Sequence, residues 1–293
     1  MTTDSATASE VTIRRANMED VSACAAVCRD AFQSIADRHN FPHDFSTAEE
    51  AARMLTFMFC TPGFYCLVAE HAGRIVGSNC MFEADTVASI GPISISPDTQ
   101  NARVGKRLMQ AVLDRANELQ KPGVRLVQAA YHSRSLSLYA KLGFVVRDTL
   151  AIIYGDAPAF SAAGYQVRPA TMSDHPACNK LCFDIHGHDR GNELAGALHQ
   201  GSATVVERAG RITGYTTGIG FFGHSVGETN DDLKALIAAA PTYSGPGFLV
   251  PMRNAELFRW CLQSGLRVKY VMTLMSVGMY NEPQGAWIPS VAY

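Results

Sequence analysis

The 293-residue chain contains no run of eighteen or more apolar residues, the length an α-helix needs to cross a bilayer, so no membrane-spanning segment is expected. It has no surplus of either charge. Twenty-five basic against 27 acidic side chains leave a net charge of −2, which gives no reason to expect nucleic acid, whose backbone calls for a basic face. The opening MTTDSATASE lacks the basic and apolar regions of a secretory signal and reads as a polar leader. No pair among the eight cysteines has Cys-x-x-Cys spacing, and together these absences predict reduced thiols in a cytoplasmic protein. Cys24 and Cys28, four residues apart, could share a metal with His39 or His43; small buried core residues are the ordinary reading, and no metal is expected. An apolar fraction of 47% over this length is enough for two domains, each with its own core.

The most informative stretch is Ile93 to Arg107, ISISPDTQNARVGKR. Ile93 and Ile95 alternate with Ser94 and Ser96 as in a strand with one buried face, and Pro97 and Asp98 break it. From Val104 the apolar residues recur at Leu108, Val112 and Leu113, the spacing of a helix. The link therefore presents free backbone N–H groups at a helix N-terminus beside Arg103, Lys106 and Arg107, an arrangement that attracts anions. Gly105 would let a phosphate approach the backbone. The plain alternative is a strand–helix connection with basic residues facing water. Two other segments bear on the choice. GVRLVQAAYHSRSLSLYAKLGF, Gly123 to Phe144, reads as a strand running into a short helix closed by Gly143. EHAGRIVG, Glu70 to Gly77, reads as a hairpin turning at Ala72-Gly73.

Strand, basic glycine-containing loop and helix, then strand and a helix ending LYAKLGF, resemble the GNAT superfamily of acyl-CoA N-acyltransferases over Val11 to about Tyr154. In that family a Gln/Arg-x-x-Gly-x-Gly/Ala turn cradles the CoA pyrophosphate. Here it reads Gln100-Asn101-Ala102-Arg103-Val104-Gly105, with Arg103 in place of the first glycine. The second motif is matched at Leu138, Tyr139, Lys141, Gly143 and Phe144, with His132 at the usual Asn position and Ser135 at the usual Ala position. The resemblance implies acetyl-CoA as cosubstrate, bound by Ile93, Ser94, Ile95, Gln100, Asn101, Ala102, Arg103, Val104, Gly105, Lys106, His132, Ser135 and Leu138. It places Tyr139 where the family's proton donor to the leaving sulfur lies; a phenol keeps its proton at neutral pH and can still donate to a thiolate. The competing reading makes Tyr139 a core aromatic. For the base, Glu83 and Asp85 could take the amine proton directly or through water, although carboxylates at a hairpin turn are commonly just surface residues. His39, His43 and Asp44 lie where the family builds an acceptor wall, and plain loop residues are the alternative there.

Along the chain, Val11 to Arg15 reads as an opening strand, Asn17 caps a helix bearing Val21, Cys24, Ala25, Cys28 and Phe32, and Ser46 is expected to cap a second helix through Phe59. Strands follow at Tyr65 to Glu70, Ile75 to Glu83 and Val87 to Ile95, and another at Val145 to Ile153. A linker-like stretch, Gly155 to Gly164, comes next.

Then the pattern repeats. Arg14-Arg-Ala-Asn-Met-Glu-Asp20 returns as Arg168-Pro-Ala-Thr-Met-Ser-Asp174, and Cys24 and Cys28 return as Cys178 and Cys182 at the same offset. EHAGRIVG returns as Glu207-Arg-Ala-Gly-Arg-Ile-Thr-Gly214. In this second copy Cys261 stands at the tyrosine position and Asn254 at that of His132, while the stretch Gly223 to Asp232 offers Glu228, Asp231 and Asp232 where a phosphate would need cations. Gly218 to Gly223 spells GxGxxG but opens no helix and is discounted as a nucleotide site. His186 and His188 could bind metal, a loop or helix end being the plainer reading. A closing strand, Arg267 to Gly278, precedes an apolar tail whose Trp287, Ile288, Val291 and Tyr293 are expected to pack back on the body.

The expectation is an α/β (α+β) protein of two tandem GNAT-like domains, residues 1–158 and 159–293, each a mixed central sheet flanked by helices, the second degenerate. The expected reaction is acetyl transfer from acetyl-CoA to an amine, with near-neutral charge favouring a small-molecule acceptor over a basic protein tail. A homodimer is compatible with the sequence. The alternative is a non-catalytic acyl-CoA sensor that kept the pocket and lost transfer.

Overall fold

The computed structural model describes residues 11–99 and 103–292. Gln100, Asn101, Ala102, the leader and Tyr293 lie outside the described residues. The chain forms two compact units, one taking in residues up to Met81 together with Ile90–Leu119, the other Phe82–Ser89 with Gln120 onward. No described helix is long and apolar enough to cross a membrane.

The first unit runs β1 (Thr12–Arg15), α1 (Val21–His39), α2 (Ala48–Cys60), β2 (Phe64–His71), β3 (Arg74–Phe82), β4 (Ala88–Ile95) and α3 (Val104–Glu118). Its strands lie in the order β1-β2-β3-β4, with β1 antiparallel to β2. Cys24 and Cys28 of α1 and Cys66 and Cys80 of β2 and β3 are buried together with Leu55 and Val68, so these thiols are core residues, as the plainer reading of the pair in α1 expects. Thr47, and not Ser46, caps α2. Its hydroxyl accepts from the Glu50 N–H at 3.3 Å while Glu50 reaches back to the Ser46 N–H at 2.7 Å, because the Glu needed to complete a capping box stands three residues after Thr47.

The second unit continues with β5 (Gly123–Ala129), α4 (Ser133–Lys141), β6 (Val145–Tyr154), β7 (Tyr165–Pro169), α5 (His175–His186) and α6 (Gly191–Gln200). Then come β8 (Thr204–Arg208), β9 (Arg211–Thr216), β10 (Ser225–Gly227), α7 (Asn230–Ala239), β11 (Phe248–Pro251), α8 (Ala255–Gln263), β12 (Arg267–Gly278) and β13 (Ala286–Ile288). Five strands lie in the order β13-β10-β9-β8-β7. The apolar tail packs back as its composition predicts: β13 adds to β10, with Trp287 opposite Val226 and Ile288 buried.

The repeat is visible in atomic detail. Arg14 forks onto Asp20 at 2.7 and 2.8 Å and sends Nε to Glu70 at 3.2 Å; Arg168 forks onto Asp174 at 2.8 and 2.9 Å and sends Nε to Glu207 at 2.9 Å. Each aspartate also accepts a backbone N–H three residues before it, from Asn17 or Thr171, which closes a single 3-10 turn ahead of the long helix. Further along, α4 and α8 both end on a glycine at positive φ, Gly143 at 92° and Gly265 at 89°, a conformation glycine adopts without strain.

The two copies interleave. By the repeat, β5 corresponds to β11 and β6 to β12, yet the order is β5-β12-β6-β11, all antiparallel. β12 of the second copy thus sits between β5 and β6 of the first, and the strand pairing crosses the 158/159 line.

Because Asp174 serves both the turn and Arg168, Asp174→Asn is expected to lower stability by about 2 kcal/mol, read as a fall in Tm. Arg168 holds the Asp174 carboxyl well below its usual range. A depressed folded pKa gives stability that is present above the unfolded value and lost as pH falls through the folded one. The difference between wild type and variant should therefore be full at pH 7 and shrink as the solution is acidified below about pH 4.

Candidate active site

In the first unit the basic stretch forms a strand end and a helix start, as the sequence predicts. The buried side of β4 is the serine side, contrary to the expectation from Ile93 and Ile95. Ser94 is 2% exposed, with its Oγ 3.0 Å from Ser78 Oγ, whereas Ile93 and Ile95 are half-buried. That face lies beneath α1: the Cys24 thiol is beside Ser78 and the Cys28 thiol beside Ser94.

Arg103 precedes α3 with φ 59° and ψ 14°, a left-handed conformation that costs a non-glycine residue about 1 kcal/mol. The chain thus keeps, with an arginine, a backbone shape for which glycine would be the unstrained choice. Val104, Leu108, Met109 and Val112 bury one face of α3, while Arg103, Lys106 and Arg107 are exposed. The N–H groups of Val104, Gly105 and Lys106 have no carbonyl one turn earlier in the helix. Gly105 lies half-buried among them.

In the second unit, His132 immediately precedes α4 and its carbonyl accepts from the Leu136 N–H at 3.1 Å. Its backbone, φ −85° and ψ 72°, matches that of Asn254 before α8 at −77° and 70°, so the repeat assigned these positions correctly. Tyr139 is 5% exposed, packs edge-on against Phe144 at 6.1 Å, and has Ser135 beside its phenol. Burial pushes the phenol up to about 12, with the Ser135 hydroxyl opposing, so Tyr139 keeps its proton at neutral pH.

The two acidic residues of the β3–β4 loop differ. Asp85 is 5% exposed and accepts the N–H groups of Asn192 at 2.8 Å and Glu193 at 3.3 Å in the first turn of α6. Around it, Thr86 Oγ1 donates to Asp189 at 2.7 Å and Lys121 Nζ to the Asp85 carbonyl at 2.6 Å. Burial raises the Asp85 pKa against the opposing charge of Arg190. Asp85 is therefore an anchor that fills a helix N-terminus, a role its sequence position did not signal. Glu83 is half-buried just after β3.

The corresponding parts of the second copy are closed. The N-terminus of α7 is filled by its own Asp232, which accepts the Thr229 N–H at 2.8 Å, and Glu228 pairs with Arg208 and Arg211. Cys261 is fully buried, and burial pushes its thiol up to about 12, so it is a protonated core residue. Gly218 to Gly223 is a bend that turns back on itself, where a Cβ on Gly223 would strike the Gly218 carbonyl. His186 and His188 are 1% and 3% exposed, and burial pushes both below the usual range, His188 to about 3. Among the described residues no three His, Cys, Asp or Glu side chains group as metal ligands.

The chain thus joins a mixed α/β fold in two copies to a basic, glycine-containing helix N-terminus in one of them. Residues 30–144 match the model of the Acetyltransferase (GNAT) family. A candidate acetyltransferase from Pyrococcus horikoshii is 17% identical, with a TM-score of 0.73 over 96% of this chain and 95% of that one. A GCN5-related N-acetyltransferase from Sphaerobacter thermophilus is 13% identical, with a TM-score of 0.61 over 93% and 96%. Both likenesses extend through the two copies and concern the fold. No protein of curated function matches the sequence.

Proposed function

We propose that the protein transfers an acetyl group directly from acetyl-CoA to the amine of a small molecule in the cytoplasm, with residues 1–158 carrying the chemistry and the second copy shaping the acceptor side. The observation that carries this reading is the basic N-terminus of α3, with exposed Arg103 and Lys106 around Gly105. Its first N–H groups, which have no carbonyl one turn earlier in the helix, suit a diphosphate. The family pattern assigns Gln100, Asn101, Ala102 and Val104 to the diphosphate, the backbone at Ile93, Ser94 and Ile95 to the acetyl carbonyl, and His132, Ser135 and Leu138 to the pantetheine.

The amine nitrogen attacks the thioester carbon, the C–S bond breaks, and the departing thiolate takes its proton from Tyr139. Glu83 receives the proton lost by the amine, directly or through one water.

Calorimetric titration with CoA, paired with an assay of free thiol released across a panel of amines, tests the reading. Binding with amine-dependent thiol release supports it; binding without release would leave a sensor, and no binding would remove the cradle. Arg103→Gly sharpens the test. Glycine relieves the left-handed strain but is freer in the unfolded chain, so stability should stay within about 1 kcal/mol. Loss of the guanidinium should raise the Kd for CoA about tenfold.

A further inference from the structure

The connection after β6, the edge strand β7 and the C-terminal half of α7 border a cavity of about 460 Å³ in the second copy. Phe160 and Ser161 line it from the connection, Tyr165 and Val167 from β7, and Ala238 and Ala239 from α7. That volume is typical of a small-molecule site, and aromatic and aliphatic walls suit an apolar body. The walls are supported from behind. Phe160 packs edge-on against Trp260 of α8 at 5.8 Å. Tyr165 and Val167 rest on the core that holds Leu233, Leu236 and Phe248. The space is therefore kept by packing on either side of it, and filling it with an apolar group removes apolar surface from water.

One rim of the cavity carries positive charge. Arg208 of β8 stands directly opposite Tyr165 and projects to the α7 side of the sheet, as Val206 two residues before it does. Its Nη1 donates to the Tyr165 hydroxyl at 3.4 Å, and its guanidinium lies 5.5 Å from the centre of that ring. The carboxylate beside it is Glu228, 3.3 Å from Nη2, and Arg211 already forks onto both oxygens of Glu228. Two guanidiniums thus share one carboxylate, and the end of the β8–β9 hairpin keeps one positive charge. Lys234 of α7 adds none, because Asp231 and Glu256 hold it at 2.8 Å each. The contact between Arg208 and Glu228 is long and partly exposed, a kind of pair that contributes little, so Arg208 can turn to another anion at small cost.

We propose that this cavity binds a small amphipathic carboxylate, its apolar body between Phe160, Tyr165 and α7 and its carboxylate on Arg208. The second copy then has a ligand site of its own, built from residues that take no part in the acetyl-transfer reading. Calorimetric titration of the full-length protein, without acetyl-CoA, tests it with phenylbutyrate and decanoate against phenylbutanol and phenylbutylamine. Phenylbutyrate should bind about tenfold more tightly than its alcohol, and the amine most weakly. The ratio between the two acids tells an aromatic from an alkyl body. Arg208→Gln should bring the acid to the level of the alcohol, and Arg208→Lys should restore part of the difference. Ala238→Phe sets a ring in the open space and should raise the Kd of either acid about tenfold. Its Tm should stay near that of the wild type, since Ala238 is half-buried beside the cavity. If that variant does not fold, the two Arg208 variants carry the test alone. Failure of both acids to bind at millimolar concentration overturns the proposal. So does equal binding of acid and alcohol, or acid binding that Arg208→Gln or a folded Ala238→Phe leaves unchanged.

Discussion

A chain ending at Pro158 is expected to be unfolded or insoluble, and therefore inactive, although it retains every residue assigned to acetyl transfer. Removing the second copy removes β12, whose pairing with β5 runs from Met272 opposite Ala129 to Gly278 opposite Gly123. It also removes the contacts of β12 with β6 and of β11 with β6. Met272, Leu274 and Met275, all 5% exposed or less, leave with it. Burial of each such side chain contributes about 1.5–3 kcal/mol, so three together approach the whole stability of an ordinary domain, about 5–15 kcal/mol. What remains exposes one edge of β5 and both edges of β6, a template for aggregation. Expression of residues 1–158 with circular dichroism and limited proteolysis checks this; a soluble, cooperatively melting fragment would refute the interleaved account.

The second large effect is at Tyr139. Tyr139→Phe is expected to lower kcat about a hundredfold, the lower end of what a positioned proton donor supplies. The Kd for acetyl-CoA should be almost unchanged, because the ring and its packing on Phe144 remain. Since the phenol is held at about 12, it stays protonated across the working range. Any rise of rate with pH between 6 and 9 must then come from another group or from the amine itself, and should persist in the variant with the same midpoint. An unaltered kcat would remove Tyr139 from the mechanism.

Part of the framework of the candidate site was legible in the sequence. The alternation at Ile93 to Ser96, the breaker at Pro97 and the helical spacing from Val104 place a basic helix N-terminus, and the structure has one. The repeat of Arg14 and Asp20 as Arg168 and Asp174 was likewise readable, because the same local hydrogen bonds recur wherever those residues recur. Less legible was which face of β4 is buried. Apolar character pointed to Ile93 and Ile95, but it is Ser94, on the face beneath α1 with Ser78 and Cys28, that is buried. Asp85 looked like a surface carboxylate at a turn, and only the arrival of α6, more than a hundred residues later in the chain, makes it an anchor.

The sequence by itself determined the composition class, the helix and strand periodicities, the duplication and the acidic segment of the second copy, since each depends on neighbours within a few residues or on a fixed offset. Tertiary structure alone decided that β12 enters between β5 and β6, that Asp85 is occupied, and that Phe160, Tyr165 and Arg208 gather beside α7. Strand order and side-chain convergence depend on which distant segments pair, and local pattern carries no information about the partner.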